Sequence, residues 1–206
     1  MDDLSRFAGQ RSLICNVMNG KSASILCNPH PCGHIVYPYT DEAHVTEAVC
    51  LFASSGLTQD EAVVLVMTSA HCEPIRKRLE QEGFDLASLE ASGQLTCLDA
   101  EELLRRFMID GMPDETLFKN AVGLIINRAR ASGGNDHLRI VRVFGEMVSL
   151  LWGESVAAAD RLENLWNDAI ETHSVAVLCT YTLDGCSPSA FPEQLLASHS
   201  HTLAEA

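Results

Sequence analysis

Residues 139–146 read RIVRVFGE, a short segment rich in β-branched residues that ends in glycine and glutamate. A short apolar segment of this kind predicts a strand buried in a parallel α/β sheet. Ligand sites of open α/β sheets lie just beyond the carboxyl ends of the strands. We therefore expect the carboxylate of Glu146 to lie at the edge of the sheet where a ligand crevice forms.

Similar apolar segments alternate with amphipathic helical patterns along the chain. Strands are predicted at residues 34–39, 62–67, 95–98, 138–144 and 175–179. This alternation predicts a three-layer α/β fold, with a mostly parallel sheet and helices on both faces. A last short helix is expected over residues 191–197. Residues 1–30 lack periodicity and are expected to form a partly flexible N-terminal extension, whereas residues 31–203 form the domain.

The composition limits the classes of partner. The chain has 206 residues, is 47% hydrophobic and carries a formal charge of −14 at pH 7. Strong acidity disfavours nucleic acids and anionic membranes, because both attract basic surfaces. No apolar stretch approaches the roughly 20 residues that span a bilayer, and the N-terminus lacks the pattern of a secretion signal. We expect a cytoplasmic protein that contacts neither nucleic acid nor membrane.

The chain lacks the phosphate loop of nucleotide hydrolases. No G-x-x-x-x-G-K-[ST] pattern occurs, and residues 38–44, between the first strand and its helix, contain neither glycine nor lysine. We therefore expect a sensor that is not an enzyme and carries no cofactor. Two alternatives stay open, a divergent nucleotide-binding protein and an interaction module without a ligand.

Polar and aromatic side chains near the predicted carboxyl ends of the strands form the candidate ligand site. These residues are Tyr37, Tyr39, Thr68, His71, Glu146, Trp152 and Tyr181. Each also has a structural interpretation: Glu146 would cap the short helix that begins at Met147, and the aromatic rings would pack in the core.

A cysteine–histidine cluster precedes and enters the first predicted strand. Its members are Cys27, His30, Cys32 and His34. These side chains are plausible zinc ligands, but their spacing differs from that of paired zinc knuckles, so a structural role is favoured. His199 and His201 would add ligands only if the C-terminal segment folds back, and a solvated tail or end cap is the simpler interpretation.

A series of short motifs, in this order along the chain, resembles the MEDS family of sensory domains. That family is named for methanogen and methylotroph sensors and the dichloromethane-responsive repressor. The motifs lie at residues 33–39, 91–95, 98–100, 107–111, 142–152, 162–167, 178–181 and 199–201.

The resemblance covers about residues 33–203 and has four implications. It implies a RecA/KaiC-like nucleotide-hydrolase core that has lost the phosphate loop. It implies a signal-transduction domain that binds small molecules, including hydrocarbon derivatives. Such domains occur alone or ahead of a kinase or DNA-binding module, so the implied protein partner is a histidine kinase, as in two-component systems, or a transcription regulator. A homodimer is left open.

Overall fold

The computed structural model describes residues 19–133, 137–183 and 196–203. Six of its strands form one sheet in the order β3-β2-β6-β7-β1-β8, and every pairing in it is parallel. Strands β4 and β5 form a separate antiparallel hairpin. The strands are β1 His34–Tyr39, β2 Ala62–Met67, β3 Leu95–Asp99, β4 Met108–Ile109, β5 Met112–Pro113, β6 Val141–Gly145, β7 Ala176–Thr182 and β8 His201–Thr202.

Eight described helices cover the two faces of the sheet. They are α1 Gly20–Cys27, α2 Glu42–Thr58, α3 Ser69–Gln81, α4 Leu86–Ser92, α5 Ala100–Arg105, α6 Glu115–Ala131, α7 Met147–Trp152 and α8 Val156–His173. Helices α1 to α4 pack on one face, and α5 to α8 pack on the other. The predicted three-layer α/β fold is therefore confirmed. None of these described helices is long and apolar enough to cross a membrane.

The strand predictions agree closely with the structure except at the start of β6 and at the end of β7, which continues to Thr182 beyond the predicted end at residue 179. The predicted strand began at Leu138, but β6 begins at Val141. Leu138 and Ile140 are 67% and 49% exposed. These two apolar residues extend the strand pattern in the sequence, but they do not contribute to the core. Most of the helix predicted at 191–197 lies outside the described residues.

Four elements were not predicted from the sequence pattern: helix α1, the two strands of the β4–β5 hairpin, and strand β8. Helix α1 lies within the expected N-terminal extension, begins at the cap residue Asn19 and buries Leu26 completely. Strand β8 extends the sheet beside β1, where Ile35 pairs with His201. The C-terminal segment therefore folds back onto the sheet, which corrects the preferred interpretation of its histidines as a solvated tail.

The strand order has a topological switch point between β2 and β6, and we call the space beyond the carboxyl ends of these two strands the crevice. These strands are neighbours, but α3 follows β2 on one face and α7 follows β6 on the other. Connections that leave adjacent strands in opposite directions open a crevice at the carboxyl ends, and ligands of α/β proteins bind there. Thr68 and Glu146 are the first residues after β2 and β6, so both lie at this crevice.

Candidate functional site

Glu146 bridges the two sides of the crevice. Its Oε2 accepts hydrogen bonds from the backbone N–H of Thr68 at 2.6 Å and from the Thr68 hydroxyl at 3.2 Å. The backbone N–H of Glu146 donates to the carbonyl of Val66 at 3.1 Å. Its carboxylate makes no capping hydrogen bond to α7 within the described structure. The side chain thus ties together the ends of β2 and β6.

His71 continues this connection toward the solvent. It lies in the first turn of α3, and its Nδ1 contacts Oε1 of Glu146. Its Nε2 contacts Oε2 of Glu42, the first residue of α2. We call these three residues the carboxylate–histidine chain. The chain joins the segments that follow β1, β2 and β6 through one imidazole ring.

The two carboxylates control the protonation of His71. The hydrogen bond with Glu146 is the largest cause of a raised pKa, burial opposes it, and the contact with Glu42 adds to it. The resulting pKa of His71 is about 9, so the ring is an imidazolium at neutral pH and both nitrogens donate. A ring in this state offers hydrogen-bond donors to a ligand but no basic nitrogen to accept a proton.

The raised pKa predicts a pH-dependent stability. The folded pKa of about 9 exceeds the unfolded value of 6.5, so the stabilisation is complete below pH 6.5 and disappears as the pH rises through 9. We expect the free energy of unfolding to fall by roughly 1–3 kcal/mol over this range, because solvent screens the Glu42 contact. Urea unfolding at several pH values measures this change.

A His71→Gln variant provides the control. The groups that face His71 are Glu42, Glu146, the Thr68 hydroxyl and the Tyr39 ring, and all of them remain in the variant. The variant should lose the decline between pH 6.5 and 9 that His71 causes. An equal decline in both proteins would show that His71 is not the titrating group.

Two tyrosines extend this side of the site. The ring of Tyr39 meets the His71 ring edge-on, with 6.1 Å between the centroids, and lies 6.4 Å from the ring of Tyr37. Both tyrosines belong to the core on the face covered by α2 and α3. Five of the seven candidate ligand residues thus follow one path from this core to the crevice. They are Tyr37, Tyr39, Thr68, His71 and Glu146.

The other two candidates, Trp152 and Tyr181, pack against the core on the opposite face of the sheet. Their rings are nearly perpendicular, with centroids 6.4 Å apart. The hydroxyl of Tyr181 donates to Oε1 of Glu163 on α8. The sheet therefore separates this pair from Tyr39 and His71.

A second polar cluster is buried on the face covered by α8. Its members are His34, Glu163, Cys179 and His199. Burial raises the pKa of Glu163, but hydrogen bonds with His199 and His34 outweigh it and lower the pKa to about 2. Burial raises the pKa of the Cys179 thiol well above its usual value. The carboxylate is thus ionised beside two imidazole rings and a thiol.

The predicted cysteine–histidine cluster does not come together in the described structure. No three of its four residues place their ligand atoms within 4.8 Å of one another. Cys32 is exposed, and its backbone N–H donates to Nδ1 of His30 at 3.1 Å. His34 alone enters the buried cluster around Glu163. One signal could have indicated Glu163: it lies three residues before Trp166 on the apolar side of α8.

Two small cavities lie away from Glu146. One has a volume of about 120 Å³ and is lined by Gln59, Glu61 and Arg142 among others. The other has about 100 Å³ and lies between α6 and α8. Pockets for drug-sized ligands usually measure about 300–1,000 Å³.

Residues 33–200 match the family model of MEDS, described as the methanogen/methylotroph, DcmR sensory domain. No curated protein matches the chain. The family match spans more than half of the chain and agrees with the motifs seen in the sequence. The protein is therefore a member of the MEDS family of sensory domains.

Proposed function

We propose that this sensory domain binds a small organic molecule at the crevice and has no catalytic activity. The observation that carries the proposal is the carboxylate–histidine chain, which joins the segments after β1, β2 and β6 through His71. A ligand that contacts this imidazolium changes all three segments at once. Through such a change the domain would signal that the ligand is bound. This requires that the ligand has different affinities for the conformations before and after the change.

Glu42 is the member of the chain that a ligand would replace. Its side chain is 68% exposed, whereas those of His71 and Glu146 are 8% and 3% exposed. Exposed ion pairs contribute about 0–1 kcal/mol, because water screens them. Glu146 is also held by Thr68. The ligand therefore competes only with the weak contact between Glu42 and His71. The buried contact between Glu146 and His71 stays in place.

The chemistry around His71 indicates the class of ligand. Its Nε2–H points toward the exposed end of the chain and requires a hydrogen-bond acceptor. The Tyr39 ring provides an apolar contact nearby, while Asp41 and Glu42 disfavour anions. A small neutral molecule with one acceptor atom, such as an alcohol, an aldehyde or an alkyl halide, fits these requirements. Such molecules are hydrocarbon derivatives.

The start of α2 argues against a nucleotide. Phosphates bind at helix N-termini, where backbone N–H groups and the helix dipole attract negative charge. Here the Asp41 carboxylate already accepts the N–H of Ala43 at 2.7 Å, and Glu42 follows it. Two carboxylates at this position repel a phosphate.

We propose that helix α2 transmits the conformational change from the crevice to α1. Glu42 begins this helix, and near its other end the carbonyl of Phe52 accepts a hydrogen bond from Arg142 at 3.3 Å. The same guanidinium binds the carbonyls of Leu26 and Cys27 in α1. Displacement of Glu42 would shift the start of α2 and, through Arg142, the position of α1. The recipient is a histidine kinase or a transcription regulator.

A thermal-shift screen tests the ligand proposal. The panel contains methanol, 1-butanol, butanal and dichloromethane, with ATP–Mg²⁺ and butyrate as comparisons. A ligand at 100 times its dissociation constant adds about 2.7 kcal/mol of stability. We expect at least one neutral compound to raise the unfolding temperature, and ATP–Mg²⁺ and butyrate to have no effect.

Two variants locate the binding event. His71→Phe should abolish the shift, because it removes the donor. Glu42→Gln should tighten binding about two- to fivefold, because it removes a competitor worth up to about 1 kcal/mol. A shift with ATP–Mg²⁺ alone would favour a divergent nucleotide site instead. A shift that both variants retain unchanged would place the ligand elsewhere and contradict the proposal.

A further inference from the structure

The buried cluster around Glu163 brings together four potential metal ligands from distant parts of the chain. His34 begins β1, Cys179 lies in β7, Glu163 lies in α8 and His199 lies in the segment that precedes β8. One ligand atom from each of them lies within 4.8 Å of the other three. The side chains of His34, Glu163 and His199 are at most 4% exposed, and Cys179 is also buried.

Three distances within the cluster are close to the edges of a small coordination tetrahedron, and two of them involve different oxygens of Glu163. Nε2 of His34 lies 3.2 Å from Oε2 of Glu163 and 3.5 Å from Sγ of Cys179. Nε2 of His199 lies 3.4 Å from Oε1 of Glu163. Zinc bonds of about 2.0–2.3 Å in a tetrahedron give edges of roughly 3.3–3.8 Å. The four ligand atoms lie within 4.8 Å of one another, so they would move closer together around a zinc ion.

Neighbouring side chains orient the ligands for such an ion. Nδ1 of His34 lies 2.8 Å from Oδ1 of Asn167, an acceptor that favours a proton on Nδ1, and Nε2 faces the cluster. The Tyr181 hydroxyl donates to Oε1 of Glu163, and the Ser198 hydroxyl lies 3.4 Å from Nδ1 of His199. Metal-binding histidines and carboxylates commonly have outer hydrogen bonds of this kind, which fix the tautomer and the ring orientation.

The charges of the cluster also balance around a divalent cation. Zn²⁺ with the Glu163 carboxylate, the Cys179 thiolate and two neutral histidines has no net charge, as a buried site requires. The thiol loses its proton to the solvent when it binds the ion.

We propose that His34, Glu163, Cys179 and His199 bind one zinc ion in a closed, structural site. This site lies at the opposite end of β1 from Tyr39 and does not depend on the proposed ligand at the crevice. It would attach the C-terminal segment to the sheet, where Ser200 already donates its backbone N–H to the carbonyl of His34 at 2.8 Å. Pairing of β8 with β1 would then depend on the metal.

Cobalt substitution of the full chain tests this proposal. The protein is dialysed against a chelator, returned to buffer and titrated with Co²⁺ and then with Zn²⁺. We expect one equivalent of Co²⁺ to produce the visible absorption of a tetrahedral site and a near-ultraviolet thiolate-to-cobalt band. One equivalent of Zn²⁺ should remove both. A folded protein that shows no such spectrum with excess Co²⁺ would overturn the proposal, without any variant being needed.

Variants identify the thiolate and separate this site from the cysteine–histidine cluster at residues 27–34. Cys179→Ser should abolish the thiolate band and weaken zinc binding by at least about tenfold. Cys32→Ser and His201→Gln are matched controls, because neither residue belongs to the buried cluster, and both should retain the spectrum. Loss of the band in Cys32→Ser with its retention in Cys179→Ser would overturn the assignment.

Discussion

Replacing Arg142 by methionine should lower the free energy of unfolding by about 3–5 kcal/mol, because it breaks a buried ion pair. The Arg142 side chain is 2% exposed and pairs with Glu61. It also donates to the carbonyls of Leu26 at 3.0 Å, Cys27 at 3.1 Å and Phe52 at 3.3 Å. Methionine fills much of the same volume but leaves these acceptors and the Glu61 carboxylate without their donor.

Arg139→Met is the matched control for this variant. Arg139 binds Asp60, whose side chain is 58% exposed, so the substitution should cost at most about 1 kcal/mol. Urea unfolding of both variants measures the difference. Amide exchange in α1 should rise only in Arg142→Met, because Arg142 holds the C-terminal carbonyls of that helix. Equal losses of stability in the two variants would show that Arg142 is not a specific structural link.

Replacing Glu146 by alanine should lower the free energy of unfolding by about 2–4 kcal/mol, because it leaves buried hydrogen-bond donors without an acceptor. The backbone N–H of Thr68 and Nδ1 of His71 both lose their partner. The pKa of His71 should fall as well, since the hydrogen bond with Glu146 is the largest cause of its rise. Chemical denaturation at pH 7 measures the loss of stability, and a histidine NMR titration measures the pKa.

Glu42→Ala tests the other end of the carboxylate–histidine chain. Glu42 contacts the same ring but is mostly exposed, so its removal should cost at most about 1 kcal/mol. If Glu146 is the fixed partner of His71 and Glu42 the replaceable one, Glu146→Ala should lower the free energy of unfolding much more than Glu42→Ala. Losses of similar size would contradict the proposal that a ligand displaces Glu42.

Five of the six strands of the central sheet could be predicted from the sequence, because they are short, apolar and separated by helical patterns. Residues 62–67, for example, are buried throughout, as a continuous apolar run predicts. The position of Glu146 and Thr68 at one crevice also followed from the sequence, since parallel strands end at the same edge of the sheet. Such local patterns determine where an element lies and where it ends.

The contacts that complete the site depend on the tertiary structure and had little signal in the sequence. Glu42 was not among the predicted site residues, yet it contacts His71 from the neighbouring helix α2. His199 approaches His34 because the C-terminal segment pairs with β1, and Ser200 lies 166 positions from His34. Helix α1 has only eight residues, and its docking depends on Arg142 in a distant strand. None of these pairings follows from spacing along the chain.

The most direct test of sensing at the crevice is nitrogen-15 NMR of the His71 side chain at pH 7, during titration with each neutral compound of the thermal-shift panel. We predict that both ring nitrogens are protonated in the free protein. A binding compound should then shift the Nε2 signal as it replaces Glu42, while the Nδ1 signal keeps the signature of its bond to Glu146. Compounds that bind without moving the Nε2 signal, or a panel in which none binds, would contradict ligand sensing through His71.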